Sequence, residues 1–386
     1  MRTLTHAEFM EMRRFPALDG LRAFAAVIVV VFHFGGAEWK WLSGWVGVYL
    51  FFVLSGFLIT TLLLREQDTK GRISLKNFYI RRVFRIMPPY FVIFFFIMAF
   101  FYLRGDFFTI RYPETLKYYL PFMNEFLPAG MAGAPNDYFS GSWTLGIEQK
   151  FYLVWPALMV VAGVAAARRR VYIALGAMAV LIALIPLTGG WYTAYSMSAL
   201  YTSSVHYVVL LVGALLAIVM NSKRLYAFVQ PLTHPLVAPV SIIAFVVLHV
   251  NMETLWHSTG NAVVLLLGYA VLTAALIVSL MNRNPATWVL STAPMRFVGD
   301  RSYSLYLFQG IAGFMVASML PRFQVYGTLT AVVVTLVSLL LADIVFRWVE
   351  HPAIELGRRI IARRSQKAQA PVNPPHKEVP PVPVNA

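Results

Sequence analysis

Arg22 and His33 stand eleven residues apart in the apolar run 18–34. At about 100° per helical residue the two side chains share one face, offset by about 20°, and lie about 16 Å apart along the axis. Asp19 falls within about 40° of the same stripe. An imidazole can take up or release a proton near neutral pH, a guanidinium can hold an anion, and a carboxylate can orient either. An Arg near the centre of a membrane helix costs about 2.5–3.5 kcal/mol on insertion scales, so such groups face the bundle interior and mark a functional path. The alternative makes Asp19 and Arg22 interfacial anchors and His33 a satisfied polar group of the core.

Three further groups could do chemistry. Arg81, Arg82 and Arg85 precede Pro88 and Pro89, and Arg82 and Arg85 share a face if this stretch is helical. Paired guanidinium donors suit phosphate oxygens; an ordinary basic anchor, or a contact with anionic lipid headgroups, would use the same residues. Glu148 and Tyr152 form an i, i+4 pair after Ser142 and Trp143. A carboxylate opening an apolar run needs a partner; a Glu148–Lys150 pair is disfavoured because residues two apart do not face each other on a helix. Glu148 lies at a depth similar to His33, and a carboxylate-oriented imidazole is a standard general base. Ser55 and Gly56 suit close helix packing, with the hydroxyl free to bond across helices. His206 and His249 read as structural.

These residues sit in elements that must cross a membrane. The chain of 386 residues is 59% hydrophobic and 13% charged, with mean hydropathy +0.66, whereas soluble domains carry about 25% charge. Apolar segments of spanning length occur at about 18–34, 45–64, 88–103, 143–167, 171–187, 204–220, 235–250, 261–281, 302–320 and 327–348. The expected fold is all-α: a polytopic bundle of about ten transmembrane helices. Placing both termini in the cytoplasm puts 26 of the 32 Lys and Arg residues on the inner side, a strong positive-inside bias. The net charge of +15 is dispersed in short loops, which argues against nucleic acid as a partner. With no cysteine, disulfides and thiolate nucleophiles are excluded, and no cluster of residues reads as a metal site. The organisation expected is a cytoplasmic segment 1–17, a membrane domain 18–360, and a basic then Pro-rich disordered tail 361–386. The long outer loop 104–142 is rich in aromatics and could cover a site or stack on sugar rings.

Four segments together resemble the acyltransferase-3 family of integral-membrane O-acyltransferases: Ala17–Arg22 running to His33; Phe51–Ile59; Arg81-Arg82 with Arg85-Ile86 and Pro88; and Trp143–Leu145 with Ile147-Glu148, Phe151–Leu153 and Pro156. A weaker fifth is Asp300–Leu307. The resemblance covers all but the tail. It implies a multi-pass enzyme of a bacterial inner membrane that moves a short acyl group, such as acetyl, from cytoplasmic acyl-CoA to a hydroxyl of an extracytoplasmic glycan or glycolipid. It implies that His33 is the catalytic histidine, helped by Asp19 or Glu148. Arg22, Arg81, Arg82, Arg85 and Ser55 would bind the donor, and Trp143 and Tyr152 would contact the acceptor. A general-base route and a transient acyl-imidazole both remain open. No permanently bound cofactor is expected. Two departures stand out: Phe308-Gln309 where many relatives carry His, so that Gln309 takes no catalytic part, and Gln149-Lys150 in place of an acidic-amide pair. Acylation of a sugar-bearing small molecule such as a macrolide is an alternative. A proton-coupled transporter or flippase is an alternative of another class.

Overall fold

The computed structural model describes residues 2–105, 107–108, 112–127, 139–163, 167–188, 202–258, 261–319 and 327–369. The proline-rich tail beyond 369 and much of the 104–142 loop lie outside them. Among the described residues there is no strand. The helices are α1 (His6–Glu11), α2 (Pro16–Phe34), α3 (Gly47–Lys70), α4 (Leu75–Leu103), α5 (Tyr112–Tyr119), α6 (Trp143–Val161), α7 (Ala167–Thr188) and α8 (Val205–Asn221). They continue as α9 (Lys223–Val229), α10 (Ala238–Ser258), α11 (Ala262–Ser279), α12 (Pro285–Leu290), α13 (Ala293–Met319), α14 (Thr328–Val345) and α15 (His351–Gln369).

Each of the ten expected apolar segments contains a helix among the described residues. Among the described residues, seven helical stretches are long and apolar enough to cross a membrane, or eight if the bent pair Val205–Asn221 and Lys223–Thr233 makes one span. Length and hydropathy among the described residues thus support seven or eight of the ten expected spans. Helices α6 and α13 are not among the seven; they carry the polar residues described below. The third segment does not begin at Pro88: α4 opens at Leu75 and runs through Pro88 and Pro89, so the arginines before them are helical. Neighbouring helices can re-satisfy backbone groups that a membrane proline frees. Helix α15 continues past the expected boundary at 360, joined to α14 by a π-helical turn at Phe346–Glu350.

Helix α2 starts at what we call the N-terminal face and ends at the far face. It packs on α13, α14 and α3, while α3 packs most extensively on α8. The α3–α8 contact is backbone against backbone. A Cβ on Gly56 would overlap the Leu210 carbonyl, and one on Gly213 would overlap that of Val53. Small residues permit this approach without a hydrophobic driving force. On the N-terminal face, α1 is closed by a Thr5–Glu8 capping box; the Thr5 backbone N–H foremost, with its hydroxyl, holds the Glu8 carboxyl below its usual range. The segment before α1 is tied down by Leu4 N–H on Thr233 Oγ1 (2.9 Å) and by the Tyr226 hydroxyl on the Leu4 carbonyl (3.0 Å).

Gly56→Val should destabilise the protein by about 1–3 kcal/mol, because the overlap is with backbone that cannot rotate away. Gly268→Ala, which meets nothing within 4 Å, should not lower the melting temperature of detergent-purified protein. Equal melting temperatures for the two variants would refute the α3–α8 contact.

Candidate active site

A cavity of about 340 Å³ opens among α2, α3, α4, α6 and α13. Five arginines line it, Arg13, Arg22, Arg65, Arg82 and Arg85, against three carboxylates, Asp19, Glu148 and Asp300. None of the five makes an ion pair within 4 Å among the described residues. They are supported by softer contacts. The Arg82 guanidinium lies 5.5 Å from the Tyr152 ring centroid and 5.6 Å from that of Phe78, and its Nε is buried with no hydrogen-bond partner. Arg85 lies within electrostatic reach of Asp19, Arg22 and Glu350.

Glu148 sits on the cavity wall because α6 turns one face inward. The Ser55 hydroxyl donates to Glu148 Oε1 at 2.7 Å, and the Tyr152 hydroxyl donates to Oε2 at 3.1 Å. Ser55 Oγ and Tyr152 Oη are themselves 3.1 Å apart, which closes a triangle. Both carboxylate oxygens are thus fixed, and Arg22 and Arg82 act on the charge from across the cavity. Ser55 follows from its neighbour: Gly56 draws α3 onto α8, and the adjacent position turns toward α6. Asp19 is placed by the α2–α13 crossing, where a Cβ on Gly299 would overlap its carbonyl.

Arg81 does not line the cavity. One residue turns a helix by about 100°, so while Arg82 and Arg85 face inward, Arg81 reaches back to α3 and pairs with Glu66 at 2.7 Å. Trp143 is also outside the lining, its ring 5.1 Å from that of the buried His206 and 6.3 Å from that of Phe52. Lys150 pairs not with Glu148 but with buried Glu125 at 2.6 Å, and it donates to the Phe122 carbonyl at 2.7 Å. That pair pins the described part of the 104–142 loop to α6.

His33 lies beyond the far end of the cavity, where the wall is made by Val48, Thr144 and Tyr306. Its Nδ1 is 2.8 Å from the Val29 carbonyl one turn earlier. A carbonyl can only accept, so Nδ1 carries the proton and the Nε2 lone pair is left for chemistry. Val29 therefore orients this ring, and not Asp19 or Glu148: fourteen residues along one helix separate Asp19 from His33 by about 21 Å. His33 keeps exposed surface, and the Gln309 side chain from α13 lies beside it. Gln309 is buried with its Oε1 lacking a partner, so the residue set aside in the sequence is the one beside the imidazole.

Sequence reasoning also passed over Arg13 and Arg65, which read as ordinary basic anchors; Tyr303, within the weak fifth segment, donates its hydroxyl to the Ile86 carbonyl at 3.0 Å. Asp300 and Tyr306 lay within the weak fifth segment. Tyr306 donates to the Gly141 carbonyl at 2.8 Å, fastening α13 to the start of α6.

Comparison with known proteins gives this arrangement a context. The profile of the acyltransferase-3 family, described as an acyltransferase domain, matches residues 15–347. A Staphylococcus aureus (strain MRSA252) protein provisionally named an O-acetyltransferase is 27% identical over 94% of this chain and 61% of its own length. The peptidoglycan O-acetyltransferase OatA of Listeria monocytogenes is 27% identical over 89% of this chain and 56% of its own. The chain thus spans about three-fifths of the length of these relatives. No solved structure matches. By the extent of the profile match, the chain belongs to the acyltransferase-3 family.

Proposed function

We propose that this protein transfers an acetyl group from acetyl-CoA, entering from the cytoplasm, to a hydroxyl group of an extracytoplasmic glycan. The observation that carries the reading is the cavity wall of five arginines without ion-pair partners among the described residues. Charge inside a membrane bundle is tolerated where a counter-charge or water meets it, and the phosphates of CoA are a suitable counter-charge. Arg22, Arg82 and Arg85 would take those phosphates, with Glu148, fixed by Ser55 and Tyr152, holding Arg22 and Arg82 in place by charge. The donor's thioester arm would then point toward the far face.

His33 Nε2 serves as general base. It takes the proton of the acceptor hydroxyl as that oxygen attacks the thioester carbonyl. The C–S bond breaks, and the proton returns to the departing CoA sulfur. The products are the acetyl ester and CoA thiol, with no other reactant needed. A transient acetyl-imidazole on His33 gives the same products. Gln309 Oε1 can accept from Nε2–H once the ring is protonated. The glycan acceptor draws support from the relative named for peptidoglycan; a sugar-bearing small molecule is the alternative.

His33→Ala should lower acetyl transfer by detergent-purified protein about 10²–10⁴-fold, the usual worth of a positioned proton transfer, with an unchanged melting temperature. Full turnover would defeat the assignment. Because detergent leaves no compartments, acetyl transfer by the wild type also excludes a pure transporter.

Arg82→Ala and Arg85→Ala should each raise KM for acetyl-CoA about tenfold or more, as expected for one lost charge-assisted hydrogen bond. Arg81→Ala should leave that KM unchanged and lower stability, since Arg81 meets Glu66. An equal rise in all three would mean a diffuse field and no defined phosphate site. Finally, an accessibility tag placed before Leu4 should be labelled only in inverted vesicles; labelling in right-side-out vesicles would reverse the orientation.

A further inference from the structure

Arg65 is the cavity arginine with the most elaborate support and no part in the reaction described above. Its guanidinium carbon lies 4.9 Å from the Phe15 ring centroid and 5.8 Å from that of Phe9. Nη2 makes only a long contact with the Phe9 carbonyl, at 3.4 Å. Nε is buried with no hydrogen-bond partner. Asp68 of the same helix acts on it without pairing within 4 Å. Phe15 and Arg13 line the cavity beside it.

The rings beneath Arg65 belong to the segment that crosses the N-terminal face before α2. That segment is fastened at Leu4 to Thr233 and Tyr226 and at His6, whose Nε2 donates to the Asn221 carbonyl at 3.0 Å. Phe9 is buried and stacks on Tyr226 at 6.0 Å. The guanidinium therefore lies against two aromatic rings and keeps donors free. Stacking of this kind leaves the donor edge of an arginine available to an anion. A merely solvated basic anchor needs no such bed.

Position separates this group from the Ser55–Glu148 triangle. Ten residues of α3 lie between Arg65 and Ser55, about 15 Å along the axis. Arg82, in contact with the Tyr152 ring, belongs to the inner group. The cavity thus presents one set of guanidinium groups beside the triangle and a second toward the N-terminal face.

We propose that Arg65, with Arg13, binds the ribose 3′-phosphate of the donor, while Arg22, Arg82 and Arg85 hold its diphosphate. The proposal rests on the acyl-CoA reading and adds to it a selectivity: the enzyme distinguishes CoA thioesters from their 3′-dephospho analogues. A phosphate of an anionic lipid headgroup has the same chemistry, and the experiment separates the two sources.

The test measures KM and kcat of the full-length protein for acetyl-CoA and acetyl-3′-dephospho-CoA. It is run in nanodiscs of phosphatidylcholine alone and in nanodiscs containing phosphatidylglycerol. Wild-type protein should favour acetyl-CoA by about tenfold or more in KM. Arg65→Ala should abolish that preference by raising KM for acetyl-CoA alone, with kcat and the KM of the dephospho analogue unchanged. Arg65→Lys, which keeps the charge but loses the planar fork, should retain part of it and guards against a folding defect in the alanine variant. Preservation of the full preference in Arg65→Ala would overturn the proposal. So would an effect of the substitution that appears only with phosphatidylglycerol present, which would assign the site to lipid. Wild-type protein that uses neither thioester would overturn the donor reading, and this site with it. Wild-type protein that uses both equally would remove the 3′-phosphate site alone.

Discussion

Guanidinium groups inside an apolar bundle cannot be left dry, and much of the site follows from that constraint. Moving a charge of this size from water into a low-dielectric interior costs several kcal/mol even after relaxation. Five such groups share one cavity with only three carboxylates. Part of the cost is offset by aromatic faces, Phe78 and Tyr152 under Arg82 and Phe9 and Phe15 under Arg65. The remainder calls for water or an anion, so the bundle must stay open around these side chains.

Keeping that space open while the helices pack tightly elsewhere is the work of a few close backbone contacts. Gly56 against Leu210 and Gly213 against Val53 bring α3 onto α8, which directs Ser55 toward Glu148. Gly299 against Asp19 does the same for α2 and α13 and sets the carboxylate of Asp19 near Arg22. The buried Glu125–Lys150 pair secures the far end of α6. Behind the arginines, Glu350 in the π-helical turn is buried, with the Ser304 hydroxyl 3.4 Å from its Oε2. It completes the negative charge facing Arg85 and Arg22. Single-turn π segments often accompany functional sites, and here the widened turn precedes Pro352, which has no N–H to give.

Much of this was legible in the sequence because intramembrane charge is rare enough to be conspicuous. Arg22, Arg82, Arg85 and Glu148 announced themselves as ionisable groups in or beside apolar runs, and their helical spacing correctly placed Arg82 and Arg85 on one face. Spacing within one helix could not show which helix lies opposite. Arg81 is therefore indistinguishable from Arg82 by residue type, although Glu66 of α3 stands beside it. The same limit gave His33 a carboxylate partner at equal depth, although an intrahelical carbonyl four residues earlier meets its Nδ1. Gln309 was set aside as a departure from a familial histidine, yet three-dimensional neighbourhood is independent of residue type at the position. Arg65 and Arg13 were hidden by the positive-inside rule itself, which explains any basic residue near a helix end and so distinguishes none.

The central claim is that the arginine-lined cavity is built for a phosphate-bearing thioester donor. Isothermal titration of the full-length protein with CoA and with pantetheine, which keeps the thiol arm and lacks all phosphates, tests it most directly. The account predicts that CoA binds, that its affinity falls as salt is raised, and that pantetheine binding is weaker by at least about a hundredfold, the loss of two or more charge-assisted contacts. Equal affinity for the two ligands, or CoA binding indifferent to salt, would contradict it.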